Sequence, residues 1–229
     1  MRIISVIAVL AAATVLNNWL ARGPVAYMIT SLAATAVLLL IARWDGLSRD
    51  DLGLGAEGLR RGLRWAPVLA GLALAVLLLL LAVPGGREAF QDARAVHLSV
   101  AELMGRVLVR VPFGTVLLEE TAFRGVLWAM LRRRYGDGWA TAVSSLLFGL
   151  WHVLPSRGLT HSNAAAEAAF GSGSAGVAVS VTAAVAATAV AGVFLCELRR
   201  RSGSLLAPAA LHGAVNGFSY ALAWGVARW

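Results

Sequence analysis

Lysine is missing from this sequence: all 20 of its basic residues are arginine. Charge of either sign is scarce, at 14% of residues, against 59% hydrophobic residues and a mean hydropathy of +0.75. A soluble domain of 229 residues is seldom so apolar. Several apolar runs approach the roughly 20 residues that span a bilayer as a helix, so an integral membrane protein is expected. Cysteine occurs once, as Cys196, which excludes an intrachain disulfide. With no Cys pair and no His–Cys cluster, a structural zinc site is not expected. The net charge of +8 does not point to nucleic acid. The arginines gather at the ends of apolar runs, as the positive-inside rule describes, and no aromatic–basic interleaving offers a base-stacking surface.

What the sequence does have is a succession of apolar runs. Spans are expected near residues 3–21, 25–43, 66–83, 111–131, 138–155, 175–198 and 204–226. The fold class is therefore all-α, a polytopic transmembrane bundle of about seven spans. The first run is read as a retained span, because no small-x-small cleavage site follows it. The arginine-rich part of 43–65 suits a short interfacial amphipathic helix over residues 51–65. Pro112 and Gly114 offer a break in the long stretch from Ser99 to Leu131. The loop at 156–174 has room for a short helix around Asn163–Phe170. Arginines at the start of the first run, in 43–65, at Arg132–Arg134 and at Arg199–Arg201 put the N-terminus in the cytoplasm. The chain divides into N-terminal spans over 1–98 and a functional bundle over 99–229, within what reads as one structural domain.

One stretch breaks the apolar pattern from inside a span. Glu119, Glu120 and Arg124 sit in the run Thr115–Leu131. An ionisable residue near a bilayer centre costs roughly 2.5–3.5 kcal/mol on insertion scales, so such residues mark function by default. Glu120 and Arg124 stand at i,i+4 on one helical face and can pair. Glu119 points about 100° away, with no partner in view. Two later spans carry polar residues of their own: Phe148 and His152 in the fifth, His212 and Asn216 in the seventh. At 1.5 Å per residue, Glu119, His152 and His212 lie about 20, 21 and 13 Å from the cytoplasmic ends of their helices. All three fall in the middle band of the bilayer and can converge on one intramembrane active-site cavity.

The ordered set Glu119-Glu120-x-x-x-Arg124, Phe148-x-x-x-His152 and His212-x-x-x-Asn216 resembles the three-motif signature of the CAAX-protease and bacteriocin-processing family, also called ABI. The resemblance covers roughly residues 110–218 and includes the lead-in Gly203-Ser204-Leu205-Leu206-Ala207-Pro208. It implies an intramembrane glutamic endopeptidase acting on a peptide or membrane-protein substrate. In that reading Glu119 and His152 activate a water, and Glu120 with Arg124 braces the helix. His212 and Asn216 would donate to the oxyanion, and Phe148 would shape the substrate side of the site. No cofactor is implied. Two His and two Glu could hold Zn²⁺, but no HExxH is present and a glutamate–histidine pair suffices without metal. Two further readings stay open: a proton-coupled transporter, since intramembrane Glu/His/Arg sets also mark transport, and a scaffold or immunity protein with an inactive site. Trp128 and Trp151 flank the motifs and are read as packing residues, with a place in the wall of a substrate groove as the alternative. An all-arginine, Ala/Gly-rich chain fits a bacterial cytoplasmic membrane, where a prenylated substrate is not expected.

Overall fold

The computed structural model describes residues 2–20 and 23–228. Among them β pairing is limited to one isolated bridge between Asp92 and Asn163. Seven long helices make the bundle. α1 is Arg2–Val15, prolonged by a wider turn over Leu16–Leu20, α2 is Pro24–Trp44 and α3 is Ala56–Ala82. α4 covers 100–135 and α5 covers 137–151. The two would be continuous but for Gly136, whose φ of 81° is open to glycine and strained for other residues. Arg132 Nε donates to Asp137 Oδ1 across that corner at 2.9 Å. α6 is Ser174–Ser202 and α7 is Leu206–Val226. Among the described residues, four helical segments are long and apolar enough to cross a membrane: Arg2–Leu20, Pro24–Trp44, Ala56–Ala82 and Ser174–Ser202.

The expected spans correspond to these helices, with three local differences. The arginine-rich stretch before the third span is not a separate interfacial helix over 51–65. The helix starts at Ala56 and runs unbroken through Pro67 to Ala82, since membrane helices tolerate proline where neighbours and local adjustments compensate. Nor does α4 break at Pro112. Its turns widen over Arg106–Val116 instead, so that the Leu117 N–H reaches back five residues to the Pro112 carbonyl. Widening relieves the clash a proline ring makes with the carbonyl four residues earlier, and wide turns of this kind are frequent at functional sites. Third, α5 ends at Trp151 rather than 155, with His152 as its C-cap.

α4 is the centre of the bundle. Every residue from Leu118 to Leu131 is buried, so the stretch that carries the carboxylates is enclosed on all sides by protein. α5 reaches it because α5 and α6 lie almost in backbone contact. A Cβ at Gly149 would stand 2.7 Å from the Val185 carbonyl oxygen and 2.9 Å from Ala189 Cβ. Small residues allow this approach between membrane helices. α7 lies along α3 and also touches α4. The outer faces are apolar and exposed, among them Leu72, Val76 and Leu79 of α3 and Val190 and Phe194 of α6, as contact with lipid requires.

The two ends of the bundle differ chemically. At one end Asp45 gathers Arg2, Arg134 and Arg133 at 3.4, 3.8 and 4.0 Å. There Glu197 pairs with Arg200 and Arg201 at 2.7 and 2.5 Å. Arg199, 3% exposed, donates to the Asp51 carbonyl at 2.8 Å. At the opposite end the loops clasp each other. Asn163 caps Ala164–Phe170 and donates to the Ala89 carbonyl at 2.9 Å, while Trp224 donates to the Leu98 carbonyl at 2.8 Å.

Candidate active site

The three sets of polar residues meet. Glu119 and Glu120 lie on α4, within the last regular turn before its backbone widens again over Thr121–Leu127. Glu120 is 1% exposed and Arg124 is fully buried. Arg124 Nη1 donates to Glu120 Oε1 at 3.1 Å, and the guanidinium lies 3.9 Å from the Phe148 ring centroid. The same Glu120 oxygen accepts from His212 Nδ1 at 2.8 Å. One carboxylate thus ties α4 to α7, while the cation beside it stacks on α5.

Glu119 is 5% exposed and faces the other way. It is not without a partner, as its sequence context implies. The Trp151 indole N–H donates to its Oε1 at 3.0 Å. Sequence reading treats Trp151 as packing, and the only hint of more is its place directly before His152. Oε2 of Glu119 makes no hydrogen bond among the described residues and lies 3.8 Å from His212 Nε2. Trp128 sits elsewhere, donating to Thr141 at 3.3 Å and stacking near Arg132 and Arg199.

His152 caps α5, and its Nδ1 lies 2.8 Å from the Phe148 carbonyl. A carbonyl only accepts, so Nδ1 carries the proton and the Nε2 lone pair is free to accept. Phe148, 3% exposed, meets the rings of Phe123, His152 and His212 edge-on at centroid distances of 5.2, 4.7 and 6.0 Å. It orders the two histidines from beneath.

A cavity of about 610 Å³ opens beside this cluster, with Glu119, Trp151, His152 and Asn216 in its lining. His212, Glu120, Arg124 and Phe148 lie behind that wall. From Glu119 the cavity passes Thr115, Tyr27 and Arg110 and reaches Asn17, Phe90, Asp92 and Arg94. These last residues belong to the end of the bundle opposite the arginine clusters.

A family model described as type II CAAX prenyl endopeptidase, Rce1-like, matches residues 102–218. That is more than half of the chain, and it contains every residue of the three motifs. The chain belongs to this family. No curated protein and no solved structure matches it. As a CAAX endopeptidase-type family member it is an integral membrane protein of a protease family, whose substrates are peptides or proteins. Among the described residues, no group of three or more His, Cys, Asp and Glu side chains is arranged to hold a metal ion.

Proposed function

We propose that this protein is a glutamic intramembrane endopeptidase in which Glu119 and His152 together activate the attacking water. The observation that carries this reading is that Glu119 and His152 line one cavity with complementary polarity. The Trp151 indole engages one Glu119 oxygen, and Oε2, buried and without a hydrogen bond among the described residues, is the oxygen left to take a proton. The Phe148 carbonyl fixes the His152 tautomer, leaving Nε2 to accept from the same water. Glu119 removes a proton as the water oxygen bonds to the scissile carbonyl carbon. It returns that proton to the amine nitrogen as the C–N bond breaks, the usual exchange of a general base turned acid.

Asn216 reaches the cavity from α7 and is the donor offered to the oxyanion. One such donor typically contributes about 3–4 kcal/mol. His212 has a narrower role than the resemblance gives it. Its Nδ1 is spent on Glu120, and its Nε2 faces Glu119, so it positions the two carboxylates relative to each other. Glu120 and Arg124 are the brace that holds α4, α5 and α7 in register, and Phe148 supports the histidines from behind the cavity. No step of this scheme calls for a metal. Transport and an inactive scaffold have no specific observation in their favour, whereas the protease family and the cavity-lining pair favour hydrolysis.

The arginine clusters set the orientation by the positive-inside rule: the N-terminus is cytoplasmic, in a bacterial cytoplasmic membrane, and the cavity mouth faces away from the cytoplasm. The test is a comparison of peptide termini in membranes carrying the wild-type protein or Glu119→Ala. Termini that depend on Glu119 support the reading and identify the substrate. Identical sets of termini in the two membranes contradict it.

A further inference from the structure

We propose that Arg110 forms a carboxylate-binding subsite within the catalytic cavity; the inference rests on the peptidase reading above. Arg110 lines the cavity from the widened part of α4, in the half of the bundle away from the arginine clusters. The neighbouring arginines Arg94 and Arg106 are engaged. Arg94 is bidentate to Asp92, with contacts of 2.6 to 3.1 Å, and Arg106 donates to the Arg94 carbonyl at 3.3 Å. Arg110 has no carboxylate or carbonyl partner among the described residues. Its guanidinium rests 4.7 Å from the Tyr27 ring centroid. The Tyr27 hydroxyl is in turn within 3.2 Å of the Thr115 hydroxyl, so the ring beneath the cation is held in place.

Half-buried in the cavity wall, the Arg110 guanidinium is left without an anion among the described residues. Its planar fork suits a carboxylate, which it can bind through two parallel N–H···O bonds. The spacing agrees with a peptide ligand. Arg110 lies nine residues before Glu119, at most about 14 Å along the helix. An extended peptide rises about 3.3 Å per residue, so about four residues bridge the water-activating carboxylate and the cation. Arg110 then selects substrates that carry a carboxylate about four residues from the scissile bond, either at the chain end or on an acidic side chain.

Binding to the full-length Glu119→Ala protein in nanodiscs separates this subsite from turnover. The probes are N-acetyl-Ala-Ala-Leu-Ala as the free acid, the same peptide as its C-terminal amide, and N-acetyl-Ala-Asp-Leu-Ala amide. The free acid is expected to bind at least ten-fold more tightly than the plain amide. Arg110→Gln is expected to abolish that difference, and Arg110→Lys, which keeps the charge but not the fork, to retain part of it. If the Asp-containing amide binds as well as the free acid, the carboxylate is read wherever it sits. If it binds like the plain amide, the chain end is read. Equal affinity for acid and plain amide, or no binding by any probe, overturns the subsite. Discrimination that survives Arg110→Gln also overturns it. If Arg110→Gln fails to fold, discrimination undiminished in Arg110→Lys decides against it. Failure of the peptidase reading shows separately, as wild-type membranes without Glu119-dependent termini.

Discussion

At the scale of single residues the two adjacent glutamates have different work because they face different neighbours. Glu120 is enclosed with Arg124, a cation that has no other anion among the described residues. Removing Arg124 leaves a buried charge unpaired, which typically costs about 3–5 kcal/mol. Arg124→Ala should therefore lower both the yield of folded protein and its activity, measured by detergent thermal unfolding alongside peptide release. Glu119 touches the fold mainly through the Trp151 indole. Trp151→Phe keeps an aromatic ring but removes the donor to a buried carboxylate, so stability should fall by about 1–3 kcal/mol and activity of the protein that remains folded by about ten-fold or more. A loss of that order corresponds to about 1.4 kcal/mol of positioning. An unaltered rate in Trp151→Phe would mean that this hydrogen bond does not orient Glu119.

At the scale of elements, the site depends on how closely α5 approaches α6 and on how α4 is wound. Gly149 has no room for a side chain against Val185 and Ala189. Gly149→Val should push α5 outward, with a destabilisation of about 1–3 kcal/mol as for other overpacked contacts. Activity should fall further than stability does, because His152 moves with the helix. Hydrolysis assays and thermal unfolding on the same preparation check both. Much at this scale was legible in the sequence. Apolar run lengths placed all seven helices, and i,i+4 spacing placed Glu120 with Arg124. The winding of α4 was not legible, because Pro112 signals a break and only the surrounding helices decide that the turns widen instead. The Trp151–Glu119 bond was also hidden. A tryptophan beside a motif residue in an apolar run reads as packing, and only the approach of α5 to α4 brings its N–H to a carboxylate. In the sequence Arg110 only continues an i,i+4 series with Glu102 and Arg106, which says nothing of Tyr27 or of a cavity.

At the scale of the whole molecule, the bundle is polar at one end, clasped by loops at the other, and hollow between the clasp and Glu119. The proposed orientation rests on the arginine clusters and is open to direct test. The native Cys196 is buried and gives little background to a membrane-impermeant thiol reagent. Asp92→Cys, at the cavity mouth, should be labelled from outside intact cells. Asp137→Cys, at the α4–α5 corner, should be labelled only after the membrane is opened. The reverse pattern would place the mouth in the cytoplasm and change the pool of substrates the enzyme meets.

The central claim is that Glu119 and His152 activate water without a metal. The most direct measurement is hydrolysis by purified protein in liposomes, using a substrate found through Glu119-dependent termini. Wild type, Glu119→Gln and His152→Ala would be compared with and without a strong zinc chelator. The account predicts that wild type keeps its full rate under chelation, while both variants stay folded and lose hydrolysis. Activity that vanishes with the chelator and returns with Zn²⁺, or that persists in Glu119→Gln, would contradict it.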